Sequence, residues 1–171
     1  AFEDKTIHCF NPQGEEVPGF KSIKTDNPVI LPVQYFKVNT KDYLCVVDVE
    51  GKIYITDRQG ETRIKLKERF PQAIEHFYIE PGSDNDHTFL VTADSTGKVT
   101  KIALNDAKEQ FRLQRFDLPV MMEYKDIDKD GIAEYIFQSK TELNIYNQQK
   151  QLLVNHKFKD DMLPVSTLLN L

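Results

Sequence analysis

The chain has 171 residues and a formal net charge of −5, with 40% hydrophobic and 29% charged residues, a composition that suits a globular protein with a sizeable core. No basic run is interleaved with aromatics, which argues against nucleic-acid binding, and no apolar stretch approaches the ~20 residues of a membrane-spanning helix. Cys9 and Cys45 lie in apolar strand-like segments and read as free thiols, not as a disulfide framework or a zinc site.

In chain order, Ile7-His8-Cys9-Phe10 is the first short strand, followed by the polar turn Asn11-Pro12-Gln13-Gly14-Glu15. Residues 1–20 therefore read as a partial unit, the last two strands of four. The unit at 29–67 opens near Leu31-Pro32, where a proline heading a strand sacrifices no ladder bond. It continues through the apolar run Tyr43 to Val47, the turn Asp48-Val49-Glu50-Gly51-Lys52, the strand Ile53-Tyr54-Ile55-Thr56 and the turn Asp57-Arg58-Gln59-Gly60-Glu61. Arg63 to Arg69 alternates charged and apolar residues, as an edge strand with one solvated face does.

The unit at 70–115 repeats the plan: Phe70-Pro71, the run Thr88 to Val91, the turn Asp94-Ser95-Thr96-Gly97-Lys98 and the strand Val99-Thr100-Lys101-Ile102. Its last turn, Asn105-Asp106-Ala107, arrives two residues late, for which a bulge near Lys101 is expected. The unit at 118–158 runs from Leu118-Pro119 through Tyr135 to Phe137, then Leu143-Asn144-Ile145-Tyr146 and the turn Asn147-Gln148-Gln149-Lys150-Gln151. Leu163-Pro164 opens residues 163–171, expected to be the first strand of a next unit.

The four matched strands begin 46, 46 and 44 residues apart, and the turns repeat in phase with them. Asn or Asp opens each hairpin turn by bonding its own backbone, and Gly supplies the positive φ that closes it. This spacing predicts an all-β, β-propeller-like fold of four-stranded antiparallel blades with a period near 45 residues. The ring is either a fragment of a larger propeller or a small four-bladed one closed by the two ends. A β-sandwich is the competing arrangement, and the phase-locked turns favour the propeller.

Gly51 to Glu61 resembles the strand–turn–strand portion of quinoprotein-type and WD-repeat-like blades. Asp126-Ile127-Asp128-Lys129-Asp130-Gly131-Ile132-Ala133-Glu134 resembles the loop of FG-GAP or VCBS-type blades, where a D-x-D-x-D-G-x-x-D pattern before an apolar strand binds calcium. The layout is also similar to C-terminal propeller-like regions of Bacteroides-type envelope proteins. These resemblances imply a propeller fold and a periplasmic, cell-envelope or secreted setting, and they imply no activity.

The residues of that loop point to the same chemistry. Calcium takes six to eight oxygen ligands, which alternate residues of a tight loop can supply while glycine at the sixth position allows a sharp turn. Asp126, Asp128 and Asp130 fall at positions one, three and five, the Ile132 carbonyl at seven and Glu134 at nine. These five are the expected ligands of a structural Ca2+. The alternatives are an acidic turn whose carboxylates only cap the backbone, or another metal. An EF-hand is excluded because Phe137 occupies the twelfth position.

His8, His76, His87 and His156 fall at unrelated blade positions, and neither a phosphate-binding glycine loop nor a Gly-x-Ser-x-Gly elbow occurs. The expected function is a non-catalytic interaction scaffold for a protein or glycan partner. The alternative is part of a propeller enzyme acting on glycans. A start at Ala1 instead of Met suggests either a removed leader or a piece of a longer protein, and the second is the expectation.

Overall fold

The computed structural model describes residues 4–72 and 74–161, so the strand expected at 163–171 lies outside the described residues. The short apolar stretches become strands because β-branched and aromatic side chains pack well on a pleated, half-buried surface. At the N-terminal end β1 (Thr6–Ile7) pairs antiparallel with β2 (Ile23–Lys24). The first four-stranded sheet follows as β3 (Gln34–Val38), β4 (Lys41–Val47), β5 (Ile53–Thr56) and β6 (Thr62–Ile64), hydrogen-bonded in chain order. The second comprises β7 (Tyr78–Glu80), β8 (Phe89–Ala93), β9 (Lys98–Ala103) and β10 (Lys108–Arg112), again with sequential neighbours. The third comprises β11 (Met121–Lys125), β12 (Glu134–Gln138), β13 (Glu142–Tyr146) and β14 (Leu152–Lys157). Third strands thus begin at residues 53, 98 and 142, in keeping with the period near 45 read from the sequence.

The central strands are apolar without interruption because both of their faces are covered. Cys45, Val46 and Val47 are all buried on β4, as are Tyr135, Ile136 and Phe137 on β12. Register sorts the β4 residues: Cys45 opposes Ile55 and Val47 opposes Ile53, whereas Val46 opposes Tyr54 on the other face. The first set joins a cluster with Phe36, Tyr43, Phe70, Phe77, Leu90 and Ile102. Val46 instead packs with Ile7 and Ile23. The outermost strands are solvated: β6 and β10 are mostly exposed and all of β14 is exposed. Cys9 is half-buried and Cys45 fully buried, both as free thiols; burial pushes the Cys45 thiol far up, which keeps it neutral.

The turns form for the reasons their residues suggest. Asn11 Oδ1 accepts the amides of Gln13 and Glu15 at 3.0 and 2.9 Å, and Asp57 Oδ1 accepts those of Gln59 and Glu61 at 2.9 and 3.0 Å. In the last sheet Asn147 Oδ1 still accepts the Gln151 amide at 2.9 Å, while Lys150 takes the left-handed conformation, φ 65°, that Gly60 takes with φ 78° in the first. The turn of the second sheet, expected two residues late from Asn105-Asp106-Ala107, is in phase: the Ala103 amide donates to Ala107 O at 2.8 Å and the Asp106 amide to Ala103 O at 3.0 Å, as Asp57 and Gly60 do 46 residues earlier. Asp106 takes the left-handed φ of 77° at the Gly60 position.

The turns between second and third strands have a further job. The Phe70 amide donates to Gly51 O at 3.0 Å, and the Val120 amide donates to Ser95 O at 2.9 Å, so each turn receives the connector that leads to the next sheet.

The chain divides into two compact units, Ala1–Leu90 with Lys101–Glu109 and Val91–Thr100 with Gln110–Leu171. The first holds the large apolar cluster. In the second, Tyr135 packs on Tyr124 at 5.0 Å and edge-on to Phe111 at 5.6 Å, and Phe137 packs on Phe116 at 5.2 Å between centroids. Complete burial of a ring such as Phe137 contributes roughly 1.5–3 kcal/mol.

Candidate metal centre

β11 and β12 pair from Met121 opposite Gln138 to Lys125 opposite Glu134, and residues 126–133 form the corner that joins them. Two residues of this corner adopt positive φ, Lys129 at 65° and Gly131 at 90°, which curls the chain back on itself. The space around Gly131 is open, with nothing within 4 Å of where a Cβ would stand, so glycine is there for its conformation alone.

The aspartates organise the curl by accepting backbone amides. Asp126 Oδ1 accepts the Lys129 amide at 2.7 Å and its Oδ2 the Gly131 amide at 2.9 Å. Asp128 Oδ1 accepts from Asp130 N at 3.2 Å, and Asp130 Oδ1 accepts from Ile132 N at 2.7 Å. One carboxylate oxygen from each of Asp126, Asp128 and Asp130 lies within 4.8 Å of the others. Oxygens bound on opposite sides of a calcium ion stand about 5 Å apart, so this spacing fits a shared cation. Asp126 is half-buried, while Asp128 and Asp130 are exposed, as a corner open to ions from solvent requires.

Glu134 closes the loop at the start of the next strand. It is 3% exposed at the start of β12, and its Oε2 accepts the Ile127 amide at 3.0 Å, bracing the near end of the loop. Burial pushes its carboxyl above the usual range, and the negative field of Asp128, Asp130 and Asp126 adds to that, against the opposing pull of the Ile127 hydrogen bond. Ile132 is 49% exposed within the loop. The structure therefore brings together Asp126, Asp128 and Asp130, with Glu134 attached through backbone and outside the three-carboxylate cluster.

A residue that sequence reasoning passed over holds the far end of the corner. Gln148, in the turn between β13 and β14, donates through Nε2 to Ala133 O at 2.5 Å and to Tyr124 Oη at 2.7 Å, and its Oε1 accepts from Tyr135 Oη at 3.2 Å. Nothing in the sequence marks it, since glutamine in a turn is ordinary.

Elsewhere the titratable groups are dispersed. His8 meets Glu16 at 2.8 Å, His87 meets Asp84 at 2.7 Å, and the buried Lys101 pairs with Glu80 at 2.5 Å beneath the Phe89 ring. Each is a local cluster: His8 also meets the Thr6 hydroxyl through Nε2 at 2.8 Å, and that hydroxyl lies 2.5 Å from Asp4 Oδ1.

No protein-family model matches the chain, and no curated protein matches it. Solved structures do, among them crystal structures of BBS1N in complex with ARL6DN, one soaked with mercury and one with lead, each at 16% identity and a TM-score of 0.60. The alignments cover 93% of this chain and 49% and 45% of those chains, so it spans about half the length of the structures it matches. With its recurring four-stranded antiparallel sheets, the chain shares with them an all-β, propeller-like fold.

Proposed function

We propose that this chain is a non-catalytic propeller segment that acts as an interaction scaffold, with one calcium ion stabilising the corner between β11 and β12. The observation that carries the metal is the convergence of three carboxylate oxygens within 4.8 Å on a loop whose amides already orient them. The FG-GAP or VCBS-like pattern supports calcium over other cations, because an all-oxygen, carboxylate-rich loop matches a hard ion. All of these carboxylates belong to one corner, so the ion's role is structural. Sites of this class suit the millimolar calcium outside the cytoplasm, which supports a periplasmic, envelope or secreted setting.

For the scaffold, support comes from the frame itself: rigid sheets that present corners and edges suit recognition. BBS1N, which shares the fold, was crystallised in complex with ARL6DN, and this supports a protein partner over a glycan.

Calorimetric titration of CaCl2 into chelator-treated protein tests the metal. One binding event is expected, with a melting temperature raised about 5–10 °C at a hundredfold excess over Kd, and both effects abolished by D128N/D130N. A wild-type titration without heat and an unchanged melting temperature overturn it. For the scaffold, chemical cross-linking in the native extract should map one recurrent protein partner. Glycan turnover lost on substituting a carboxylate would overturn the non-catalytic reading.

A further inference from the structure

Residues 21–26 and the β5–β6 hairpin enclose a cleft of about 610 Å3 in the first compact unit. Its walls are tied at both ends. At one end the Lys21 amide donates to Gln59 O at 2.7 Å, and a Cβ on Gly60 would overlap the Lys21 carbonyl oxygen, so only glycine permits the approach. At the other end the Asp26 amide donates to Tyr54 Oη at 2.7 Å, and the Asp26 carboxylate pairs with Lys52 at 2.5 Å. The separation of the walls is thus set before anything enters.

The lining is two-natured. Ile23 and Tyr54 supply apolar surface, while Ile64 and Leu66, also at the lining, pack against the large apolar cluster on the other face of the sheet. Lys21, Lys24, Lys52 and Lys65 supply positive charge, and Asp26 is the lining carboxylate. This occurs on a chain whose net charge is −5. Lys21 is engaged by Glu61 and Lys52 by Asp26. Lys24 and Lys65 are exposed, and among the described residues neither has a carboxylate partner. Among the described residues β6 pairs only with β5, as the last strand of its sheet, and β2 only with β1. Edges of this kind accept an added strand.

We propose that the cleft receives an extended acidic peptide segment of a protein partner. Carboxylates of the segment meet Lys24 and Lys65, apolar side chains between them lie on Ile23 and Tyr54, and the segment's backbone adds to the edge of β6. The five steps from Lys21 to Asp26 span about 17 Å of extended chain, so roughly five residues fit between the ties. The inference rests on the scaffold reading and deepens it by naming the chemistry of the partner.

Fluorescence anisotropy with a labelled seven-residue peptide of alternating Glu and Val is the test, against a Lys/Val peptide of equal length and a Glu/Val peptide with alternate amides N-methylated. The acidic peptide is expected to bind and the basic one not. K24E/K65E should weaken binding about tenfold or more at 0.1 M salt, without changing the urea midpoint, because both side chains are exposed. N-methylation should weaken it about tenfold, since each methyl removes a strand-pairing donor. Equal binding of acidic and basic peptides, indifference to the lysine changes, full binding by the N-methylated peptide, or equally tight binding of a single-stranded DNA oligomer overturns the proposal. Cross-links to a partner that avoid the cleft, together with no peptide binding, overturn the cleft and leave the scaffold standing. Glycan turnover overturns the scaffold whatever the peptides do.

Discussion

Replacing Gly51 by Ala separates two reasons for a glycine that usually come together. Gly51 has φ 75°, where an L-residue with a Cβ costs about 1 kcal/mol. The added methyl would also overlap the Phe70 carbonyl oxygen and stand 2.8 Å from its carbon and 3.1 Å from Pro71 O. These are backbone atoms with no rotamer by which to escape, and the Phe70 amide is bonded to Gly51 O at 3.0 Å. Forced displacement of packed groups costs typically 1–3 kcal/mol, so the whole change should cost about 2–4 kcal/mol. Gly14→Ala is the control, because Gly14 has φ 83° and nothing within 4 Å, and only the conformational cost of about 1 kcal/mol remains. Gly97→Ala should fall between them, since its Cβ would meet the Phe116 ring at 2.5 Å, a side chain that can yield in part. Urea unfolding monitored by circular dichroism, with midpoints converted through a common m-value, measures all three. A Gly51→Ala loss no larger than that of Gly14→Ala refutes the connector-docking account.

Asp48 is 3% exposed and accepts four hydrogen bonds: the Glu50 and Lys52 amides at 3.0 Å each on Oδ1, and Asn27 Nδ2 at 3.2 Å and Tyr54 Oη at 3.1 Å on Oδ2. Asp48→Ala strands these donors and should cost about 3 kcal/mol, against about 1 kcal/mol for the more exposed Asp57→Ala; equal losses in urea melts would contradict the difference. Asp94 predicts a pH dependence. Burial alone would raise its carboxyl, but bonds from the Thr96 hydroxyl and the Lys98 and Thr96 amides, with Arg112 nearby, hold it below its ordinary 3.8. A depressed folded-state pKa means stability that is present above 3.8 and lost as pH falls through the folded value. The stability gap between wild type and Asp94→Asn should therefore narrow as pH drops below 3.8, and a gap that stays constant there refutes the assignment.

The sequence by itself determined the strand recurrence and the turns, because both rest on local physics. Alternation and continuous apolar runs report how many faces of a strand are covered, and an Asp or Asn opening a turn bonds amides two to four residues away, as Asn11 and Asp57 do. The acidic corner was legible for the same reason, since the groups that shape Asp126, Asp128 and Asp130 are neighbours in the chain. Tertiary structure alone decided what depends on distant residues meeting. Glycine at 51 and 97 looked like a turn requirement and proved also to make room for Phe70 and Phe116. Glu134, expected as a ligand of the loop, also braces Ile127 as a buried carboxylate, while Gln148, from the next turn but one, holds Ala133. The lysine-rimmed cleft likewise has no local signature, because Lys24 and Lys65 stand 41 residues apart and come to one groove only when two separate sheets are tied together.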